Sequence, residues 1–180
     1  MSGPNTLVFV RRTGLILAGK RTAAARLSFG EKLVHNMDVL DSTQLRELCH
    51  RFFTDQDIKH HKVLVVLDQD IVFEKKLDKE DLRATDEALE SFVSAMPFEA
   101  GKRAAFSVAV DDRTHLYGTN YELFFTIIEG IEAAGGKIVS ITPLMLYGLE
   151  AGQKLKDVVG RLLKDSTVRK QANFARSEPL

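Results

Sequence analysis

The sequence predicts an α/β chain: a mixed sheet with flanking helices, plus a small inserted strand–helix–strand–strand lobe. Three stretches predict it. Residues 121–147 read as helix, tight stop and strand. Residues 63–67 are an unbroken apolar run, the pattern of a strand buried on both faces. Residues 6–18 read as two strands joined by a turn.

Taken in order, residues 6–10 (Leu7, Val8, Phe9, Val10) form a strand. Arg11-Arg12-Thr13-Gly14 turns the chain, and residues 15–18 return it. Residues 23–29 predict a weaker third strand that continues past Gly30 toward 33–37. Asp41 or Ser42 caps a helix over 44–53, with Leu45, Leu48, Phe52 and Phe53 on one side and Arg46, Glu47 and Arg51 on the other. A polar loop, 55–62, leads into the buried run 63–67. Asp68-Gln69-Asp70 turns, and 71–77 is a further strand. Residues 79–95 are helical on the stripe Leu82, Ala88, Leu89, Phe92 and Val93, stopped at Met96-Pro97. Residues 104–110 and 114–117 read as a hairpin across Asp111-Asp112-Arg113.

The next helix carries Leu123, Phe124, Ile127, Ile128, Ile131 and Ala134 at helical spacing, with Glu122, Glu129 and Glu132 opposite. Gly135-Gly136 ends it, since glycine accepts the left-handed conformation common after a helix. The strand 137–142 follows, rich in β-branched residues and closed by Pro143. A helix starts at 145–152 and another covers 155–163. The tail 164–180 is polar and aperiodic and reads as a flexible C-terminal arm. This order, three strands, a helix and a buried strand, is the first half of an actin-like (ribonuclease-H-like) fold. The expected division is a half domain over 1–163, with its lobe inserted at about 68–136, and the arm 164–180.

Composition excludes several classes of function. The 180 residues hold 25 Lys+Arg against 25 Asp+Glu, so no net charge draws the chain to nucleic acid or an anionic membrane. A hydrophobic share of 44% is ordinary for a globular chain. No apolar run is long enough to span a bilayer, and the N-terminus is not a signal peptide. The single cysteine, Cys49, allows no internal disulfide. The expectation is a cytoplasmic protein.

Candidate chemistry is thin. His60 and His61 are adjacent and point to opposite sides of an extended chain, which suits loop histidines better than one metal site. His35, His50 and His115 are scattered, and Cys49 reads as a half-buried helical thiol. Asp68, Asp70, Asp111 and Asp112 could be paired catalytic acids, but the first strand carries no acid, and turn aspartates explain them better. A phosphate-binding hairpin of the Asp-x-Gly type works because glycine frees backbone amides to wrap phosphate while the Asp handles metal and water. Here the hairpin is Val10-Arg11-Arg12-Thr13-Gly14, with one glycine and no acid. No catalytic residue, cofactor or metal is expected. Phe52-Phe53 and Phe124-Phe125 could mark a dimer surface in a homo-oligomer, though core packing explains both more simply.

The ordered set becomes specific at its end. Met96-Pro97-Phe98 closes a charged helix, and a hairpin follows. A helix ending Glu132-Ala133-Ala134-Gly135-Gly136 then leads to Ile138-Val139-Ser140-Ile141-Thr142-Pro143-Leu144. Over roughly residues 6–147 this resembles the PilM family of type IV pilus assembly proteins and the related GspL cytoplasmic domain of type II secretion, both similar to the cell-division actin homologue FtsA. The resemblance implies an actin-like fold and a non-catalytic scaffold role in an inner-membrane assembly platform. It also implies partners: a PilN-like membrane protein or a downstream membrane segment of the same chain, and other platform proteins. Members of the family clasp an Asn-Leu-Leu-Pro-type segment of PilN. Asn173-Phe174, followed by Arg176 and Pro179-Leu180, looks like a degenerate version, so Asn173, Phe174, Pro179 and Leu180 are the expected partner-binding residues. On that reading the chain is the soluble half of a fusion, at the inner face of the cytoplasmic membrane. Because the Asp-x-Gly hairpin and the second half of the fold are missing, the resemblance argues against ATP chemistry. The alternatives are a nucleotide-binding actin-like protein and a small-molecule-binding module.

Overall fold

The computed structural model describes residues 3–19, 24–77, 85–110, 113–148, 155–171 and 174. Its centre is a five-stranded mixed sheet in the order β10-β6-β1-β2-β3. Strands β1 (Thr6–Arg11), β6 (Lys62–Leu67) and β10 (Lys137–Pro143) run parallel. β2 (Gly14–Gly19) and β3 (Ala25–Ser28) complete it antiparallel. The opening meander and the apolar run 63–67 therefore share one sheet, and Val8 lies directly against Val65. Gly14 is required where β2 meets β3, because a Cβ there would collide with the Leu27 carbonyl oxygen.

The central strands are buried on both faces, as their unbroken apolar pattern demands. Val8, Val10, Val63, Val65 and Leu67 pack toward α1 (Ser42–Asp55) and α3 (Tyr121–Ala133). Leu7, Phe9, Leu64 and Val66 pack the other way, against Val158, Val159, Leu162 and Leu163 of α4 (Leu155–Lys164). Asp41 caps α1 by accepting from the Gln44 amide at 2.9 Å. The buried line of α1 is Leu45, Cys49 and Phe53, with Leu48 and Phe52 at its margins. α1 and α3 cross closely because Gly130 has no side chain: a Cβ there would stand 2.6 Å from that of Cys49.

A second sheet, order β7-β9-β8, is built from β7 (Phe73–Leu77), β8 (Arg103–Val110) and β9 (Arg113–Asn120). α2 (Thr85–Ser94) packs on the face holding Gly118, whose missing side chain admits Phe92 and Met96. The expected helix segment 79–84 and the turn residues 111 and 112 lie outside the described residues.

Four sequence expectations change. The third strand ends at Ser28. Beyond Gly30 the chain turns, with the Leu33 amide donating to the Gly30 carbonyl, and makes a separate two-residue hairpin of β4 (Val34–His35) and β5 (Asp38–Val39). Asn36 and Met37 take positive φ there. Next, Gln69–Ile71 is a 3-10 turn capped by Asp68, so β7 starts at Phe73. The helix expected from 145 is a 3-10 turn, Leu144–Tyr147, ended by Gly148 at φ 57°; residues 149–152 are outside the described ones. Finally, the expected flexible arm contains a helix, α5 (Ser166–Gln171), and a buried Phe174. The Asp165 carboxylate accepts from the Thr167 and Val168 amides, and Arg169 donates to the Leu162 and Leu163 carbonyls. These local bonds order a segment that has no apolar stripe to announce it.

Candidate functional site

Among the described residues, two places bring chemistry-bearing side chains together. The first is the carboxyl end of β1 and β6, where the Arg12-Thr13 turn meets the 3-10 turn after β6. The Asp68 amide donates to the Val10 carbonyl at 2.9 Å, which locks the two chain ends side by side. Arg11 Nε then lies 3.1 Å from Asp68 Oδ2. The Arg12 amide donates to Asp70 Oδ2 at 3.4 Å, and Arg12 Nη2 to the Asp70 carbonyl at 2.9 Å. Asp70 Oδ1 is enclosed without a hydrogen-bond partner. Burial, reinforced by the Asp68 charge, pushes the Asp70 carboxyl above its usual range. A phosphate entering here would find the turn amide of Arg12 engaged and two carboxylates opposing its charge.

The second place is the cleft between the lobe sheet and α3. Asn120 ends β9 and caps α3, its Oδ1 accepting from the Leu123 amide at 3.3 Å, while its Nδ2 donates to Asp38 at 3.5 Å. Thr119 Oγ1 donates to the Ile71 carbonyl at 2.6 Å. These bonds fix lobe and body at one angle. On the lobe face turned away from α2, Phe106 and Tyr117 sit directly opposite each other on β8 and β9. Phe124 of α3 forms the other wall.

Phe174 fills the gap. Its ring is fully buried, edge-on to Phe106 at 4.5 Å between centroids, and 5.8 Å from that of Phe124. Beside it, Glu74 Oε1 accepts from the Tyr117 hydroxyl at 3.0 Å and lies 2.9 Å from His115 Nδ1. Burial, with the Glu74 charge behind it, pushes the Tyr117 hydroxyl well above the usual phenol range. The tyrosine is thus a fixed donor, and the cleft is an aromatic socket with one polar rim.

Of the expected partner-binding residues, Phe174 lies inside this cleft, whereas Asn173, Pro179 and Leu180 fall outside the described residues. The histidines do not converge. His61 bonds Thr6 Oγ1 at 2.9 Å, His35 bonds Asn36, and His115 bonds Glu74. Among the described residues no group of three or more His, Cys, Asp or Glu could hold a metal ion. Burial pushes the Cys49 thiol up to about 12, too high for a nucleophile at neutral pH. Phe53 and Phe124 are core residues, and Phe125 is partly exposed, stacked on Tyr121 at 5.0 Å. The sequence reading gave no role to Phe106, Tyr117 or Glu74 and left His115 as a scattered histidine; nothing in the sequence says that Phe174 packs on this face.

No family model matches the chain, and no curated protein does. Solved structures do. The PilM–PilN type IV pilus biogenesis complex matches 83% of this chain and 49% of its own, at TM-score 0.52 and 14% identity. The cytoplasmic domain of EpsL, an inner-membrane component of the type II secretion system of Vibrio cholerae, matches 79% of this chain and 58% of its own, at TM-score 0.51 and 9% identity. The chain spans about half the length of these structures. At such identities the likeness is one of fold: the five-stranded sheet, its helices and the lobe form the half of an actin-like fold that the resemblance implied, PilM- and GspL-like in architecture.

Proposed function

We propose that this chain is a non-catalytic scaffold of a type IV pilus or type II secretion assembly platform, which grips an extended peptide in the cleft between lobe and body. One observation carries the reading: the Phe174 ring, delivered by a short polar tail, is wholly buried between Phe106 of the lobe and Phe124 of the body. Large aromatic anchors in desolvated pockets dominate peptide affinity. The partner is a PilN-like membrane protein, or a further segment of the same chain, presenting an Asn-Phe or Asn-Leu motif. In the second case the tail is a partner segment held in cis. The PilM–PilN complex, a pilus protein of this fold bound to a second protein, supports the reading. The scaffold works at the cytoplasmic face of the inner membrane; among the described residues no helix is long and apolar enough to cross a membrane.

The test uses the full chain carrying Phe174→Ala and a fluorescent peptide of residues 170–180. The variant, its socket vacated, binds the peptide saturably; the unmodified chain, its socket filled, does not. A peptide with Ala at 174 fails with both. If the variant is folded and takes up no peptide, the cleft is ordinary core and the reading falls. Titration with ATP and Mg²⁺ addresses the nucleotide alternative: no heat of binding is expected, because Arg11 and Arg12 are held by Asp68 and Asp70.

A further inference from the structure

A cavity of about 470 Å³ opens at the amino end of β1 and β6. Three parts of the chain meet there: the segment before β1, the loop before β6 and the end of α4. Pro4 and Leu163, both buried, make its apolar wall. Asn5, His60, Lys62 and Lys164 make the polar one, and among the described residues no acid lines it. The hydrogen bonds around it leave donors in excess. Asn5 Oδ1 accepts from the Lys62 amide at 2.9 Å, and the Lys62 carbonyl accepts from the Asn5 amide at 3.0 Å. The Leu163 carbonyl accepts from Arg169 Nη1 at 3.3 Å. Those acceptors are occupied. The donors are open: among the described residues, nothing accepts from Asn5 Nδ2, the His60 ring or Lys164 Nζ. His60 is presented by a backbone at φ 65°, held by the bond from its amide to the Gly135 carbonyl at 2.9 Å. The carbonyls that end α4 form the negative end of a helix dipole and oppose an anion. Arg169 covers two of them, those of Leu162 and Leu163. Asp165, next in the chain, is committed to the Thr167 and Val168 amides.

We propose that this cavity binds a phosphate monoester, free or carried on a lipid headgroup. A lining of open donors that includes two lysines and no acid suits an anion rich in acceptor oxygens. Lysine meets phosphate as a point charge, whereas carboxylate is gripped best by the flat fork of arginine. No arginine lines the cavity, and the guanidinium of Arg169, beside it, is held by the α4 carbonyls. Donors arriving from three segments surround a tetrahedral group better than a planar one. Small-molecule sites run to about 300–1,000 Å³, so a bare phosphate ion would leave this one mostly empty. An ester sets its phosphate among Asn5, His60 and Lys164 and its organic part against Pro4 and Leu163. The site lies at the opposite end of β1 and β6 from the Arg11-Arg12 turn. It depends neither on that turn nor on the peptide cleft.

The test follows the backbone amide resonances of the full, isotope-labelled chain at constant ionic strength as glycerol phosphate is added. Inorganic phosphate and sodium chloride serve as comparisons. Saturable shifts are expected at Asn5, Lys62 and Lys164, at lower concentrations of the ester than of inorganic phosphate. Lys164→Gln weakens binding about tenfold, the usual effect of losing a hydrogen bond to a charged group. His60→Gly does likewise, and glycine keeps the φ of 65° without strain. Lys75→Gln removes the same charge from an exposed site on β7 and leaves binding unchanged. Melting curves confirm that each variant folds. Phosphatidylcholine vesicles with and without phosphatidic acid separate the two sources. Co-sedimentation that needs phosphatidic acid and is lost in Lys164→Gln, without shifts from glycerol phosphate, assigns the phosphate to a lipid. Shifts that sodium chloride reproduces overturn the proposal. So does binding that Lys75→Gln weakens as much as Lys164→Gln, and so does a chain that responds to neither glycerol phosphate nor phosphatidic acid.

Discussion

Single residues carry the tightest constraints. Gly130 is the clearest: with Cys49 against it, any side chain forces α1 and α3 apart. Gly130→Ala is expected to cost about 1–3 kcal/mol, the usual range for overpacking, read as a lower urea midpoint. Cys49 itself is expected to resist alkylation at neutral pH in the folded chain and to react at once when unfolded, since burial holds its thiol protonated. Asp70 gives a pH dependence with a definite sign. Its carboxyl pKa is raised in the folded state, so the folded chain binds its proton more tightly than the unfolded one. Its contribution is most favourable at low pH and is lost as pH rises through the raised folded value. Asp70→Asn is therefore expected to be at least as stable as the parent at neutral pH, with the difference shrinking as pH falls through the carboxylate range. A large loss in melting temperature at pH 7 would mean that the bond to the Arg12 amide outweighs burial. None of this pairing could be read in the chain itself: the aspartates are visible as turn formers, but Arg11 and Asp68 are 57 positions apart and meet only once β1 and β6 lie side by side.

At the scale of elements, capping and periodicity were legible and long-range support was not. The Asp41 cap and the glycine stop after α3 follow from local chemistry, and Asp41→Ala is expected to cost about 1 kcal/mol by thermal unfolding. Asn120→Ala, buried and also bonded to Asp38, belongs at the upper end of the capping range, near 2 kcal/mol. The pattern Val63–Leu67 announced a strand covered on both sides because every position is apolar. Short pieces escaped for the opposite reason. The 3-10 turn before β7 and the β4–β5 hairpin are too brief to show a period, and α5 is held by a cap and by Arg169 rather than by an apolar face.

For the molecule as a whole, the half-fold was legible from element order, whereas the cleft was not. Closing it takes a residue fifty positions beyond Phe124, and nothing in Phe174's own neighbourhood marks it as core. Phe174→Ala is expected to cost about 3–5 kcal/mol if the socket cannot collapse, and less if an added peptide replaces the ring; denaturant midpoints with and without peptide measure both.

The central sheet has a bearing on how the molecule comes to exist. The strands and the helices α1 and α3 of its front layer all lie ahead of residue 144 in the chain, but the back layer is completed only by Val158, Val159, Leu162 and Leu163. Without α4, Leu7, Phe9, Leu64 and Val66 keep only Ala18, Tyr147 and their neighbours as cover. A chain cut short of residue 155 thus leaves that face of the sheet half-roofed.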